Sequence, residues 1–323
     1  MTQTLGILYF GAMGQRWAEL LKPKGVRVVT TVEGRGKATV EAVKKMGTET
    51  LPSLEDVVKE SDIVVSLVAP EAAEEVGMKV AEAIRKTGAK PIFVECNATA
   101  PDRTKRIGKA ILDAGGRYVD GCVVGPASRL GKDWSVCYLS GPEAGAFADL
   151  VDGAFPVEIF DDGISTVSSF KMTYAAFNRG LGSLLIEAFI MAERYGALDN
   201  VLTYMYRRFP DVMKQMDYYL PGMPAQAVRR VGEMLDVAGT MEARGIQPSM
   251  VPDAVKILRA IAQTDLPEVD PTASSRDQVA QVIRIMSDAN ILSAESLGAI
   301  RDDDPNEASE EDDEEAVPAA VAR

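Results

Sequence analysis

LGILYFGAMGQR, residues 5–16, decides how the rest of the chain is read. An apolar run opens almost at the N-terminus and reaches Gly11, Ala12, Met13 and Gly14. It then becomes a helical pattern carried by Trp17, Leu20 and Leu21. Strand, glycine turn and helix start follow in that order. Free backbone N–H groups at a helix start, together with the helix dipole, favour a phosphate. Glycine lets a pyrophosphate approach the backbone with no Cβ in the way. The stretch therefore reads as the opening of a nucleotide-binding βαβ unit, with Gly11, Ala12, Met13 and Gly14 as cofactor-binding residues. The fingerprint G-x-G-x-x-G is incomplete. Its first glycine would stand at position 9, which is Tyr9, while Gly11 and Gly14 keep the second and third positions. A strand–turn–helix of any α/β protein is the alternative reading of so partial a motif.

Working outward, short apolar runs alternate with amphipathic stretches. Strands are expected over 5–10, 26–32, 62–68 and 91–95, with helices near 13–23, 37–46, 53–60, 71–86 and 102–114. Such alternation implies right-handed crossovers and a parallel, doubly wound sheet. Runs at 117–120, 135–140 and 156–160 predict further strands that extend the sheet in mixed orientation. From about residue 165 the pattern turns helical. Residues 165–195 predict one helix of roughly 45 Å, and further helices are expected over 198–219, 224–244, 250–263 and 275–290. The predicted organisation is a Rossmann-type α/β domain over 1–162, an all-helical substrate and dimerisation domain over 163–300, and an acidic tail over 301–323. One domain of this size is not expected to cover the whole long helix, and an exposed apolar face marks an interface, so a homodimer is expected.

The 323 residues carry a formal net charge of −13. That balance argues against a general nucleic-acid or anionic-membrane binder. Much of it sits in DDDPNEASEEDDEE, residues 302–315, which cannot bury apolar area and reads as disordered. The three cysteines, Cys96, Cys122 and Cys137, show no paired spacing, which predicts free thiols in a reducing cytoplasm. No secretory signal is read at the N-terminus, and no apolar run is read as reaching the ~20 residues of a membrane helix. Histidine is absent altogether. Any imidazole base and any His-containing metal site are thereby excluded, no metal is expected, and proton transfer falls to Lys, Asp, Glu, Tyr or water.

Open α/β sheets bind ligands at the C-terminal edge of their parallel strands. Besides the glycine turn, that edge should carry Ala69 and Pro70 after the third expected strand and Asn97 after the fourth. Asn97 is read either as a hydrogen-bond partner of a ribose or nicotinamide amide, or as a turn residue. Cofactor choice rests on Glu33-Gly34-Arg35-Gly36-Lys37. Glu33 there would accept from the ribose 2′-hydroxyl of NAD. Arg35 and Lys37, with Thr39, would instead cradle the 2′-phosphate of NADP, and NADP is favoured over NAD. In the helical half, Lys171 stands among apolar or small neighbours. It is either snorkelling to solvent or held in a cleft, where desolvation suits a lysine to exchange protons.

Five segments occur in a familiar order: GILYFGAMGQRWA, VECNATAP, VDGCVVGPASR followed by YLSGP, SSFKMTYAAFNRG, and PAQAVRRVGEMLDVAGTMEARG. Through them the chain resembles the β-hydroxyacid dehydrogenase and phosphogluconate dehydrogenase superfamily, in the branch with a C-terminal helical domain of unknown function. The resemblance implies an NAD(P)-dependent oxidoreductase that transfers a hydride between nicotinamide and a small carbonyl or hydroxy compound. It also implies a cleft between two domains, an interlocked dimer, and Lys171 as general acid/base. Two positions depart from the superfamily pattern. The asparagine usual one turn after the lysine is Ala175, leaving Asn178 and Tyr174 as candidate substrate contacts. The Ser-Gly-Gly that usually grips a substrate carboxylate aligns with Val124-Gly125-Pro126, so Gly125 and Arg129 are the candidates for holding an anion. An imine/amine reductase and a non-catalytic dinucleotide-binding protein remain the alternative expectations.

Overall fold

A computed structural model of the chain describes residues 3–132, 135–270 and 273–298. The tail expected over 301–323 lies outside the described residues. In chain order the first elements are β1 (Thr4–Leu8), α1 (Ala12–Leu21), β2 (Arg27–Thr30), α2 (Lys37–Lys45), β3 (Glu49–Thr50), α3 (Leu54–Glu60) and β4 (Ile63–Ser66). Then come α4 (Ala73–Thr87), β5 (Ile92–Glu95), α5 (Pro101–Asp113), β6 (Arg117–Val124), β7 (Val136–Ser140), α6 (Ala144–Val151) and β8 (Val157–Ile159). The strands form one sheet in the order β3-β2-β1-β4-β5-β6-β7-β8. Pairing is parallel from β3 to β6, antiparallel between β6 and β7, and parallel again between β7 and β8. This is the expected doubly wound α/β fold with a mixed edge.

Side chains alternate between the faces, as period 2 requires. Ile63, Val65, Ile92 and Val94 enter one core with Trp17 of α1 and Phe147 of α6. Val64 and Phe93 enter the other with Val57 of α3, Val80 and Ile84 of α4, and Ile107 of α5. Burial on both faces explains why the strands read as continuous apolar runs. Helix α6 was not anticipated: AGAFADLV is apolar nearly all round and offers no clear period. It supplies the crossover that makes β7 and β8 parallel.

The helical region contains α7 (Thr166–Arg194), α8 (Leu198–Arg208), α9 (Pro210–Tyr219), α10 (Met223–Glu242), α11 (Met250–Ala262), α12 (Ser275–Asp288) and α13 (Ala294–Gly298). The helix expected over 198–219 is broken in two. Pro210 cannot donate a backbone hydrogen bond and disfavours helical geometry at Phe209, whose φ and ψ are −131° and 56°. By length and composition α7 is apolar enough to cross a membrane, which the sequence reading did not anticipate, yet 56% of its most apolar window is buried inside the protein, as in a core helix.

By contacts, one unit comprises the residues up to Gly180 with Gly232–Pro252, and the other comprises Leu181–Val231 with the residues from Asp253 on. The divisions fall inside α7, α10 and α11, away from residue 162. The cause is visible in the first unit. The start of α7 bonds to β6, and the later half of α10 pairs with α5 through Arg103–Asp236 at 3.3 Å and with α7 through Arg179–Glu233 at 2.6 Å. In the second unit Met213, Met216, Met223 and Met286 are buried. Arg284 bonds to Glu193 and Asp199 at 3.4 and 2.9 Å.

Candidate functional site

Sheet order places the strand ends. Strands β1, β4, β5 and β6 are consecutive neighbours, so their C-terminal loops share one edge of the first unit. The chain reverses its winding between β1 and β4, and that switch point is where such sheets bind ligands. The glycine turn follows β1. Gly11 is the N-cap of α1 and makes no side-chain cap, so the first N–H groups of the helix, those of Ala12, Met13 and Gly14, lack intrahelical acceptors. A Cβ on Gly11 would meet nothing within 4 Å, whereas one on Gly14 would lie 3.0 Å from Ile7 Cγ2 and 3.1 Å from the Tyr9 carbonyl oxygen. Gly11 thus faces open space and Gly14 lets helix and strand close up. An exposed cradle of donors at this point fits the pyrophosphate of a dinucleotide.

Arg35 and Lys37 are exposed at the end of the β2 loop and the start of α2. Gly34 takes φ +66° in the turn between them and β2. Arg35 lies over the ring of Tyr9, its Cζ 3.8 Å from the centroid. Ala69 and Pro70 follow β4 and lead into a short 3-10 turn.

Asn97 is placed differently from a free ligand contact. It is buried, and its Oδ1 accepts from the Val68 N–H at 2.6 Å. Its Nδ2 donates to Ser66 Oγ at 3.0 Å and to Glu95 Oε1 at 2.5 Å. Both amide hydrogens are engaged within the protein, so Asn97 acts as a strut between the loops after β4 and β5.

The strut belongs to a larger buried network that the sequence reading missed. Glu95 and Asp120 are register partners on β5 and β6, and both are 0% exposed. Thr99 Oγ1 donates to Glu95 Oε2 at 3.2 Å and lies 2.9 Å from Thr104 Oγ1, which lies 2.8 Å from Ser168 Oγ. Ser168 donates its hydroxyl to Asp120 Oδ1 at 2.6 Å and its N–H to Asp120 Oδ2 at 2.8 Å. Burial, together with the neighbouring Asp120, pushes the Glu95 carboxyl up to about 8. Burial likewise pushes Asp120 up to about 7, opposed by its hydrogen bonds from Ser168. The signal available in the sequence was one acid in each of two apolar strand runs, PIFVE and RYVD.

Ser168 lies one turn before Lys171, so the network fixes the start of α7 against β6. Lys171 is half-buried, and its Nζ donates to the Val123 carbonyl oxygen at 3.0 Å. Gly125 follows with φ +120°. A Cβ there would fall 2.2 Å from Ser135 Oγ, so the bend after β6 requires glycine. Arg129 is exposed at the end of the short turn Ala127–Arg129. Tyr174 and Asn178 stand three and seven residues beyond Lys171 on the same face of α7. Tyr174 stacks on Phe170 at 6.3 Å, Asn178 is buried, and Ala175 is a small buried residue. No poised thiolate is present among the shifted cysteines. Burial pushes Cys122 up to about 12, and a hydrogen bond with Cys137 plus burial holds Cys96 well above the usual thiol range.

Comparison with known proteins agrees with this geometry. Residues 4–146 match the NAD binding domain of 6-phosphogluconate dehydrogenase, and residues 192–261 match a domain of unknown function, DUF1932. An uncharacterized 28.5 kDa protein of Methanothermus fervidus is 27% identical over 251 residues, 76% of this chain and 94% of that one. A conserved hypothetical protein from Sinorhizobium meliloti shares the fold at a TM-score of 0.67 and 24% identity, covering 90% of this chain and 97% of that one. The 3-hydroxyisobutyrate dehydrogenase of Mycobacterium tuberculosis, solved with L-serine, superposes at 0.67 with 14% identity over 87% of this chain and 99% of that one. An imine reductase of Streptomyces aurantiacus superposes at 0.55 with 17% identity over 87% and 99%. The fold is therefore that of the 3-hydroxyacid dehydrogenases and imine reductases. In chain order, the sequence thus joins a segment similar to the NAD binding domain of 6-phosphogluconate dehydrogenase to one similar to DUF1932.

Proposed function

We propose that the protein is an NAD(P)-dependent oxidoreductase acting on a small carbonyl/hydroxy pair, with Lys171 as general acid/base. The observation that carries this reading is the seating of Lys171. A buried hydrogen-bonded chain holds the first turn of its helix, and its ammonium meets the carbonyl at the end of β6. A lysine whose helix start is anchored in this way, and whose ammonium is bonded to a backbone carbonyl, is not a side chain merely reaching for solvent.

When bound, a nicotinamide supplies or accepts the hydride. The residues of the glycine turn would hold the pyrophosphate of the dinucleotide, and the Asn97 strut fixes the loops after β4 and β5. Lys171 Nζ gives a proton to the substrate oxygen as the carbonyl carbon is reduced, and takes it back in the reverse direction. The same proton serves an imine nitrogen. Gly125 and Arg129 are placed by this reading at the substrate's anionic end, and Tyr174 and Asn178 on the face of α7 that carries Lys171. Arg35 and Lys37 would favour NADP over NAD through its 2′-phosphate.

The test is a turnover screen of carbonyl, hydroxyacid and imine compounds with both cofactors in both redox states. Oxidation or reduction of cofactor that depends on one compound class supports the reading and names the class. Tight cofactor binding with no turnover across all three points to a binding protein that has lost its chemistry.

We also infer a homodimer. In the second unit Leu184 and Met191 are 50% and 61% exposed along one side of α7, and Tyr195, just past its end, is 85% exposed. An uncovered apolar stripe of this kind marks a protein interface, and a second copy is the proposed occupant. A monomer mass by light scattering at micromolar concentration would count against it.

A further inference from the structure

Tyr9 occupies the place of the first fingerprint glycine, and nothing in the reading above gives it a task. Its ring is half-buried and packs on the core formed by α3, α4 and the sheet. Its outer face carries Arg35, with Cζ at 3.8 Å from the ring centroid. Arg35 stands between Gly34 and Gly36, in a loop with little stiffness of its own. The backbone supplies one turn bond, from the Arg35 N–H to the Val32 carbonyl at 3.0 Å. Arg35 Nε reaches only the Glu33 carbonyl oxygen, at 3.4 Å. The nearby acid Glu75, on α4, is already paired with Lys79. Among the described residues no carboxylate lies within ion-pair distance of Arg35.

The side chain is therefore an exposed cation, held by an aromatic ring rather than by an anion. Stacking engages the face of a guanidinium and leaves its in-plane N–H donors for a further partner. Next to it Gly36 is the N-cap of α2, and a Cβ there would meet nothing within 4 Å. We infer that Tyr9 is a specificity-determining residue: its ring is the platform that holds Arg35 ready for the 2′-phosphate of a dinucleotide. The inference rests on the dinucleotide reading and deepens it. A glycine at position 9 would leave Arg35 free to sample its rotamers, and each phosphate contact would first have to order that side chain. An aromatic platform pre-orders it.

The experiment is a calorimetric titration of the full chain with NADPH and with NADH. The proteins are wild type, Tyr9→Phe, Tyr9→Leu, Arg35→Ala and the Tyr9→Leu/Arg35→Ala double variant. Circular dichroism checks that each is folded. Leucine keeps the apolar packing of the ring's inner side, and phenylalanine keeps the platform. Wild type should bind NADPH more tightly than NADH, and Arg35→Ala should lower NADPH affinity about tenfold or more. Tyr9→Leu should lower NADPH affinity by about two- to fivefold, the range of an exposed cation–π contact, and leave NADH unchanged. Tyr9→Phe should match wild type. On the Arg35→Ala background, Tyr9→Leu should no longer change the preference. Equal losses for both nucleotides, no loss for either, or a Tyr9 effect that persists without Arg35 would each overturn the proposal. So would a wild type that prefers NADH. A wild type that binds neither nucleotide removes the dinucleotide reading, and this inference with it.

Discussion

Gly11 and Gly14 are three residues apart in one turn, yet their replacement should fail in different ways. At Gly14 a new Cβ falls 3.0 Å from Ile7 Cγ2 and 3.1 Å from the Tyr9 carbonyl oxygen, both closer than ordinary van der Waals contact. Gly14→Val adds two further methyl groups to this buried site. Overpacking of that kind costs about 1–3 kcal/mol, and α1 must move away from β1. At Gly11 the backbone is extended, φ −74° and ψ −171°, which any residue adopts, and the added methyl meets nothing. Gly11→Ala should lose no more than about 1 kcal/mol, from the poorer N-cap. Its methyl instead stands where the pyrophosphate would approach the first N–H groups. Urea denaturation should therefore show a clear loss for Gly14→Val and a small one for Gly11→Ala. Cofactor titration should show affinity lowered about tenfold or more in both, a deficit of about 1.4 kcal/mol or more. A Gly11→Ala protein that binds NADPH as wild type does would refute the placement of the cofactor over this turn. A Gly14→Val protein as stable as wild type would refute the packing argument.

Two further outcomes follow from the buried charges. Glu95 and Asp120 have their protonation raised to about 8 and about 7 in the folded chain, above the ordinary carboxyl values of 4.5 and 3.8. The folded state then binds more protons than the unfolded state between roughly pH 4 and 8, so this pair's contribution to stability should fall as pH rises through that window. Glu95→Gln should flatten the fall, and a pH series of urea midpoints checks it. Glu233, at 2% side-chain exposure, is paired at 2.6 Å with Arg179, at 10%. Glu233→Ala should cost about 3–5 kcal/mol by leaving a buried charge, and Glu233→Leu with Arg179→Met should recover most of it. Chemical denaturation of the single and double variants measures both.

Much of the fold was legible because local pattern and packing agree. The β1–turn–α1 unit shows both its apolar strand and its glycines in twelve consecutive residues, 5–16. The long helix α7 ends within a residue of its expected bounds, since no proline interrupts its apolar spacing and its internal Gly180 and Gly182 do not stop it before Gly196. Helix α6 was missed because an all-apolar segment has no face to reveal. The split at Pro210 was carried by a visible residue, but its weight depends on geometry at Phe209. The network was hidden for a deeper reason. Glu95 and Asp120 are 25 residues apart and become neighbours only through strand register. Asn97 looked available to a ligand because polarity at a strand end does not show which partners a side chain has already taken. Tyr9 looked like a blemish in a motif, and its contact with Arg35 is set by a loop 26 residues away.

The central claim is that Lys171 moves the proton in a dinucleotide-dependent reaction. Its most direct test is the steady-state rate of Lys171→Ala, measured beside the titrated affinity for cofactor, with whichever compound class wild type turns over. The account predicts that kcat falls by about 10²–10⁴, that cofactor affinity stays near wild type, and that Lys171→Arg does not restore the rate, because a guanidinium does not give up its proton. A Lys171→Ala protein that turns over at the wild-type rate would contradict it and move the proton to Tyr174 or a bound water.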